Sequence, residues 1–202
     1  MSWTVFFVAI FSSMLINNVV LMKFLGVCPF LGVSKKTGSA LGMSAAVMFV
    51  MVIAAFVSYL LYYLVLVPLE IEFVQTISFI LIIASLVQLV EMIIKKISKK
   101  LYKSLGVYIA LITTNCAILG IAVENITRDF AGQYGLFPGL AVAVTTAFGA
   151  ALGFGLVMFA FSTIRERLEG ANVPEAWKGV PVSLITAGIM ALAFAGLGGI
   201  VG

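Results

Sequence analysis

Six apolar runs, at residues 3–33, 38–67, 71–94, 104–127, 138–164 and 180–201, constrain this chain more than anything else in it. Each reaches the ~20 residues needed to cross a bilayer core as a helix. Hydrophobic residues make up 63% of the chain and charged residues 10%, against roughly a quarter charged in a soluble domain, so most of the surface cannot face water. The expected fold is an all-α membrane protein of six transmembrane helices, a single integral membrane domain over residues 1–202. The first run is far longer than a signal-peptide core and lacks a small-residue cleavage site, so the N-terminus is expected to be retained.

Charge gives the orientation. Alternating the loops places Lys35, Lys36, Lys95, Lys96, Lys99, Lys100, Lys103, Arg165, Arg167 and Lys178 on one side, Arg128 alone on the other, and Lys23 inside the first run. The positive-inside rule makes the first side cytoplasmic and puts both termini on the outer face. The net charge of +4 is thus a topology signal and not a nucleic-acid patch. No loop is long enough to fold alone, which excludes a soluble nucleotide site or catalytic triad. Histidine, the commonest general base, is absent.

The two cysteines sit in similar words, "GVCPFLG" at 26–32 and "TNCAILG" at 114–120. Each is followed by a polar connector and a Gly/Ala-rich span, "GSALGMSAAVMFV" and "GLAVAVTTAFGAALGFG". Three spans per half would make residues 1–94 and 104–202 an inverted repeat, the plan of many transporters. Leu and Gly are common in membrane spans, so a chance match stays open.

The first run would measure about 46 Å as one helix, well beyond the ~30 Å hydrocarbon core. A break is therefore expected at Gly26, Pro29 and Gly32, with Cys28 as N-cap and Pro29 as first residue of a new half-helix. The fourth helix is expected to break too, with Thr113, Thr114 and Asn115 capping a half-helix that begins near Cys116. Both sulfurs would then lie at positive helix ends, which favours an anionic thiolate. Three readings of the pair remain at this point. Cysteine is often a small buried hydrophobe, a disulfide suits an oxidising compartment better than membrane depth, and a two-iron cluster commonly takes four thiolates, two more than this chain has.

Other polar residues have local explanations. Asn17, Asn18 and Lys23 interrupt the first span and either pack against protein or, for Lys23, snorkel to the interface. Glu91 precedes Lys95 by one helical turn and pairs with it. Glu124 is expected in solvent at the outer interface, and the charges of "IRER" at 164–167 are expected to anchor the fifth span. Gly149, Gly153 and Gly155, with Ala147, Ala150 and Ala151, form a small-residue face for helix packing.

The stretches "NNVVLMKFLGVCPFLGVSKK" (17–36), "LVQLVEM" (86–92), "LITTNCAILG" (111–120), "IRERL" (164–168) and "LITAGIMALAF" (184–194) resemble the A-type membrane component of the Rnf complex, the ion-translocating ferredoxin:NAD oxidoreductase, and the related E-type component of the sodium-pumping NADH:quinone reductase. "VCPFLGVSKK" looks more like the Rnf version. Ala110 departs from the pattern, where such subunits usually carry proline. The resemblance implies a multi-pass subunit of a prokaryotic cell membrane, built of inverted repeats with the first and fourth helices broken. It implies a homologous partner of opposite topology, the Rnf E type, among other Rnf subunits. It also implies that Cys28 and Cys116, with two cysteines of that partner, hold a [2Fe–2S] cluster relaying electrons across the membrane, coupled to Na+ or H+ transport. No flavin-attachment motif occurs here, so no flavin is expected on this chain, nor catalysis by the chain alone. Two alternatives are a stand-alone inverted-repeat transporter binding its substrate near Asn17, Asn18, Thr113, Thr114 and Asn115, with structural cysteines, and a membrane anchor whose basic loops dock an acidic ferredoxin-like protein.

Overall fold

Long runs rich in Ala, Leu, Met and Val, without internal proline, become long helices in the computed structural model, which describes residues 3–34, 37–97, 111–170, 174 and 177–201. Among the described residues the elements are helical. They are α1 (Trp3–Phe11) running into a π-helical turn (Ser12–Ile16), α2 (Val27–Val33), α3 (Thr37–Leu61) with a second π-turn (Tyr62–Leu66), a 3-10 turn (Glu72–Val74) and α4 (Gln75–Ile97). After them come α5 (Cys116–Thr127), α6 (Phe130–Tyr134), α7 (Leu136–Glu169) and α8 (Val180–Val201). Lys35, Lys36, Lys99, Lys100, Lys103 and Ala110 lie outside the described residues.

The chain is an all-α, multi-span membrane protein, but the expectation of six transmembrane helices needs correction. Among the described residues three helices are long and apolar enough to cross a bilayer, Thr37–Leu66, Glu72–Ile93 and Leu136–Glu169. The other apolar helices, Trp3–Ile16, Leu111–Thr127 and Val180–Gly196, are shorter. For the first the cause is visible, because a non-helical stretch at 17–26 cuts the corresponding run; Leu111–Thr127, interrupted at 114–115, begins where the described residues resume. The outer surface is strongly apolar: Phe73 is 85%, Trp3 81% and Phe137 78% exposed, which suits lipid or protein neighbours and not water.

Helices α3 and α7 form the central pair. Met43, Val47, Val50, Met51 and Ala54 of α3 meet Ala147, Ala150, Ala151, Phe154 and Met158 of α7 in one buried cluster. The single small-residue face expected from the sequence is corrected: Ala147, Ala150, Ala151 and Gly155 face α3, and Gly149 and Gly153 face the first helix. A Cβ on Gly149 would lie 2.8 Å from Ile10 Cα, and one on Gly153 would lie 2.6 Å from the Met14 carbonyl oxygen. Those two glycines let the end of the first helix lie directly on α7, as small residues do at close membrane-helix contacts.

Candidate functional site

The first break begins where the π-turn closes, with Asn17 N–H donating to the Ser12 carbonyl at 2.7 Å. Asn18, fully buried, replaces the missing helical bonds with its own amide. Its Oδ1 accepts from the N–H groups of Val20 (3.1 Å) and Leu21 (3.4 Å), and its Nδ2 donates to the Met14 carbonyl at 2.9 Å. Backbone polar groups away from water need such partners at membrane depth. The turn back into helix passes through two left-handed residues, Phe24 at φ 53° and Gly26 at φ 82°.

Gly26, and not Cys28, is the N-cap of α2. Cys28 and Pro29 occupy its second and third positions. The physical reason is that the whole first turn of a helix has unbonded N–H groups, so proline fits there, while the left-handed cap favours a residue without Cβ.

The second break is shorter. Asn115 is extended at φ −73°, ψ 106°, and its Oδ1 accepts from Ala117 N–H at 3.0 Å, so it caps α5 and Cys116 is the first helical residue. This is the cap expected from "TTN". Asn115 is 3% exposed, and its Nδ2 is buried without a hydrogen-bond partner among the described residues.

The two breaks meet. Gly26 N–H donates to Cys116 Sγ at 2.9 Å. A Cβ at Gly26 would stand 3.1 Å from Asn115 Oδ1, Ala117 Cβ and Phe154 Cε2 alike, a tight fit added to the strain of φ 82°. Both cysteines are free thiols, Cys28 exposed and Cys116 half-buried. Beside Cys116 opens a cavity of about 310 Å³, lined by Thr113, Thr114, Asn115 and the apolar Ile80, Ile83, Ala84 and Leu119.

Ion pairs bind the same elements. Glu124, expected in solvent, is instead only 16% exposed, with Oε2 2.7 Å from Lys23 Nζ and Oε1 2.6 Å from Arg128 Nη2. Lys23 therefore belongs to a bridge from the first break to the end of α5. The expectation for "IRER" is corrected at Arg165. Arg165 is buried, and its Nη1 donates to the Leu31 carbonyl at 2.7 Å and to Ser34 Oγ at 2.8 Å, closing the C-terminal end of α2. Glu166 accepts from Thr37 N–H at 2.8 Å, placing a carboxylate at the start of α3. The Glu124–Arg128 pair is one helical turn apart, a spacing visible in the sequence; the other contacts join residues far apart, and no local pattern announced them.

Among the described residues no group of three or more His, Cys, Asp or Glu side chains stands ready for a metal ion. What the chain offers is two thiols, one bonded into the joint between the breaks and one facing outward. That donor set fits half of a four-thiolate site, whose other half would have to come from a second chain.

A family model described as "Rnf-Nqr subunit, membrane protein" matches residues 6–201. The chain is 53% identical over 196 residues, 97% of each chain, to the A-type component of the Na(+)-translocating ferredoxin:NAD(+) oxidoreductase complex of Acetobacterium woodii. It is 51% identical over 189 residues, 94% of each, to the A-type component of the ion-translocating oxidoreductase complex of Syntrophotalea carbinolica. The component of the same description in Alcanivorax borkumensis is 46% identical over 198 residues, 98% of each. With its broken helices and joined cysteine loops, the chain belongs to the Rnf-Nqr family of membrane subunits, components of ion-translocating oxidoreductase complexes.

Proposed function

We propose that this chain is the electron-relay half of a membrane site in a Rnf-type ferredoxin:NAD oxidoreductase, with Cys28 and Cys116 as its two thiolate ligands. The observation that carries the reading is the 2.9 Å contact from Gly26 N–H to Cys116 Sγ, which joins the cysteine-bearing loop of one half of the chain to that of the other. The exposed Cys28 faces a homologous partner of opposite topology, which supplies the remaining two thiolates. A [2Fe–2S] cluster held there supplies a one-electron carrier that divides the ~30 Å hydrocarbon core into two shorter steps.

The protein's own part is to hold the sulfurs and shield them. Gly26 N–H and the first turn of α5 present donors to negative charge at Cys116. Pro29 and Phe30 of α2 and Ala117 and Ile118 of α5 are buried around the joint, excluding water. A change of charge at Cys116 Sγ is felt at once by the backbone of the first break, where the dielectric is low. That break is tied through Lys23 to Glu124 and Arg128, so the charge can bias how the two halves sit against each other. We take the halves, about 1–94 and 104–202, as inverted three-helix repeats within one membrane domain, both termini outside and the basic loops cytoplasmic, in a prokaryotic inner membrane. The biased arrangement is how electron flow couples to Na+ or H+ movement. Reconstituted complex bearing Cys28→Ser or Cys116→Ser should lose electron transfer and ion transport together. Normal ion transport in a variant that no longer transfers electrons would refute the coupling.

A further inference from the structure

Asn115 performs one task that any good cap residue performs, and it carries a second group that the task does not use. Asp or Ser would cap α5 equally well. The bond from Ala117 N–H fixes which end of the amide is the oxygen, so the NH2 end is set by the hydrogen-bond network. That end is buried with no partner among the described residues, and leaving a buried donor unsatisfied is costly. Four buried side-chain atoms lack partners among the described residues, those of Thr37, Ser58, Asn115 and Asn125. Of these residues, Asn115 lines the cavity at Cys116. Gly26, whose N–H reaches the Cys116 sulfur, sits against the oxygen end of the same amide, which places the side chain beside that sulfur's loop. Of the other lining, the Ile80, Ile83, Ala84 and Leu119 side chains offer no acceptor, and the Thr113 and Thr114 hydroxyls, which can accept, take no bond from this NH2.

We infer that Asn115 is a positioning residue whose side-chain NH2 donates to the anionic sulfur shell, thiolate or inorganic sulfide, assembled at Cys116, and so raises the reduction potential of that site. The inference rests on the cluster reading above. Hydrogen bonds to sulfur stabilise the more negative, reduced state, which is why they shift cluster potentials upward. Loss of the donor therefore lowers the midpoint.

The test is a redox titration of the purified complex, followed by electron paramagnetic resonance of the reduced cluster, for unmodified protein, Asn115→Asp and Asn115→Ala. Asp keeps the cap, removes the donor and adds charge; Ala removes cap and donor without adding charge. Both should show at least a tenfold lower ratio of reduced to oxidised cluster at a fixed potential, equivalent to about 59 mV for one electron. Unmodified complex labelled with 15N in the asparagine side-chain amide should also show a nitrogen coupling in the pulsed spectrum that Asn115→Ala lacks. Unchanged midpoints, a shift in Asp alone, or the same nitrogen coupling in unmodified and Ala protein would overturn the inference. Should a variant fail to assemble, the coupling in labelled unmodified protein decides, since its absence there refutes the donor. Absence of any cluster signal in unmodified complex would instead overturn the cluster reading itself.

Discussion

The two helix breaks do the same job with different means. The second is two residues long and is closed by its own cap, Asn115. The first runs from 17 to 26 and depends on supports from elsewhere: the buried Asn18 amide, the bare backbone of α7 at Gly149 and Gly153, the Lys23–Glu124 pair and, beyond α2, the Arg165 guanidinium. A short break can be written locally in a sequence. A long one must borrow its stability from the rest of the fold, which also makes it the part that responds when its supports shift.

The contrast can be broken experimentally. The largest effect should come from Gly153→Leu, whose side chain has no space against the Met14 carbonyl; we expect a loss of about 3 kcal/mol by overpacking, read as a lower unfolding midpoint in detergent. Asn18→Leu keeps the branched skeleton but strands the Val20 and Leu21 N–H groups, a cost of about 2 kcal/mol. Hydrogen exchange should then rise at 19–26 and stay unchanged at 117–121. Arg165→Met leaves the Leu31 carbonyl without its charged donor and should cost about 1.5 kcal/mol, with faster exchange confined to the α2 end. The smallest effect, about 1 kcal/mol, belongs to Glu124→Gln, because Lys23 and Arg128 both keep partial contact with solvent. Equal exchange at both breaks in the Asn18 variant would show that they unfold as one unit and remove the distinction.

What the sequence disclosed follows the same division. The run of 31 residues with Gly26, Pro29 and Gly32 announced a break because length and proline are local facts, and "TTNC" announced its own cap. The cap of α2 was misplaced by two residues, since proline marks a helix's first turn without fixing its first residue. The small residues at 149 and 153 pointed to a close contact but not to its partner. The pairing of Lys23 with Glu124, the reach of Arg165 to α2 and the bond from Gly26 to Cys116 were not legible, because each joins distant segments. In hydrocarbon such polar residues must find partners somewhere, and the chain alone does not say where.

The central claim is that the two cysteines, one just beyond each break, serve a single redox site. Its most direct test is iron and acid-labile sulfide, with cluster spectroscopy, in the complex purified with its partner subunits. Unmodified protein is compared with Cys28→Ser and Cys116→Ser. The account predicts that either substitution removes the iron, sulfide and spectrum of one and the same two-iron cluster. Iron content and a spectrum unchanged in either variant would contradict it and leave the joint between the breaks as a packing contact.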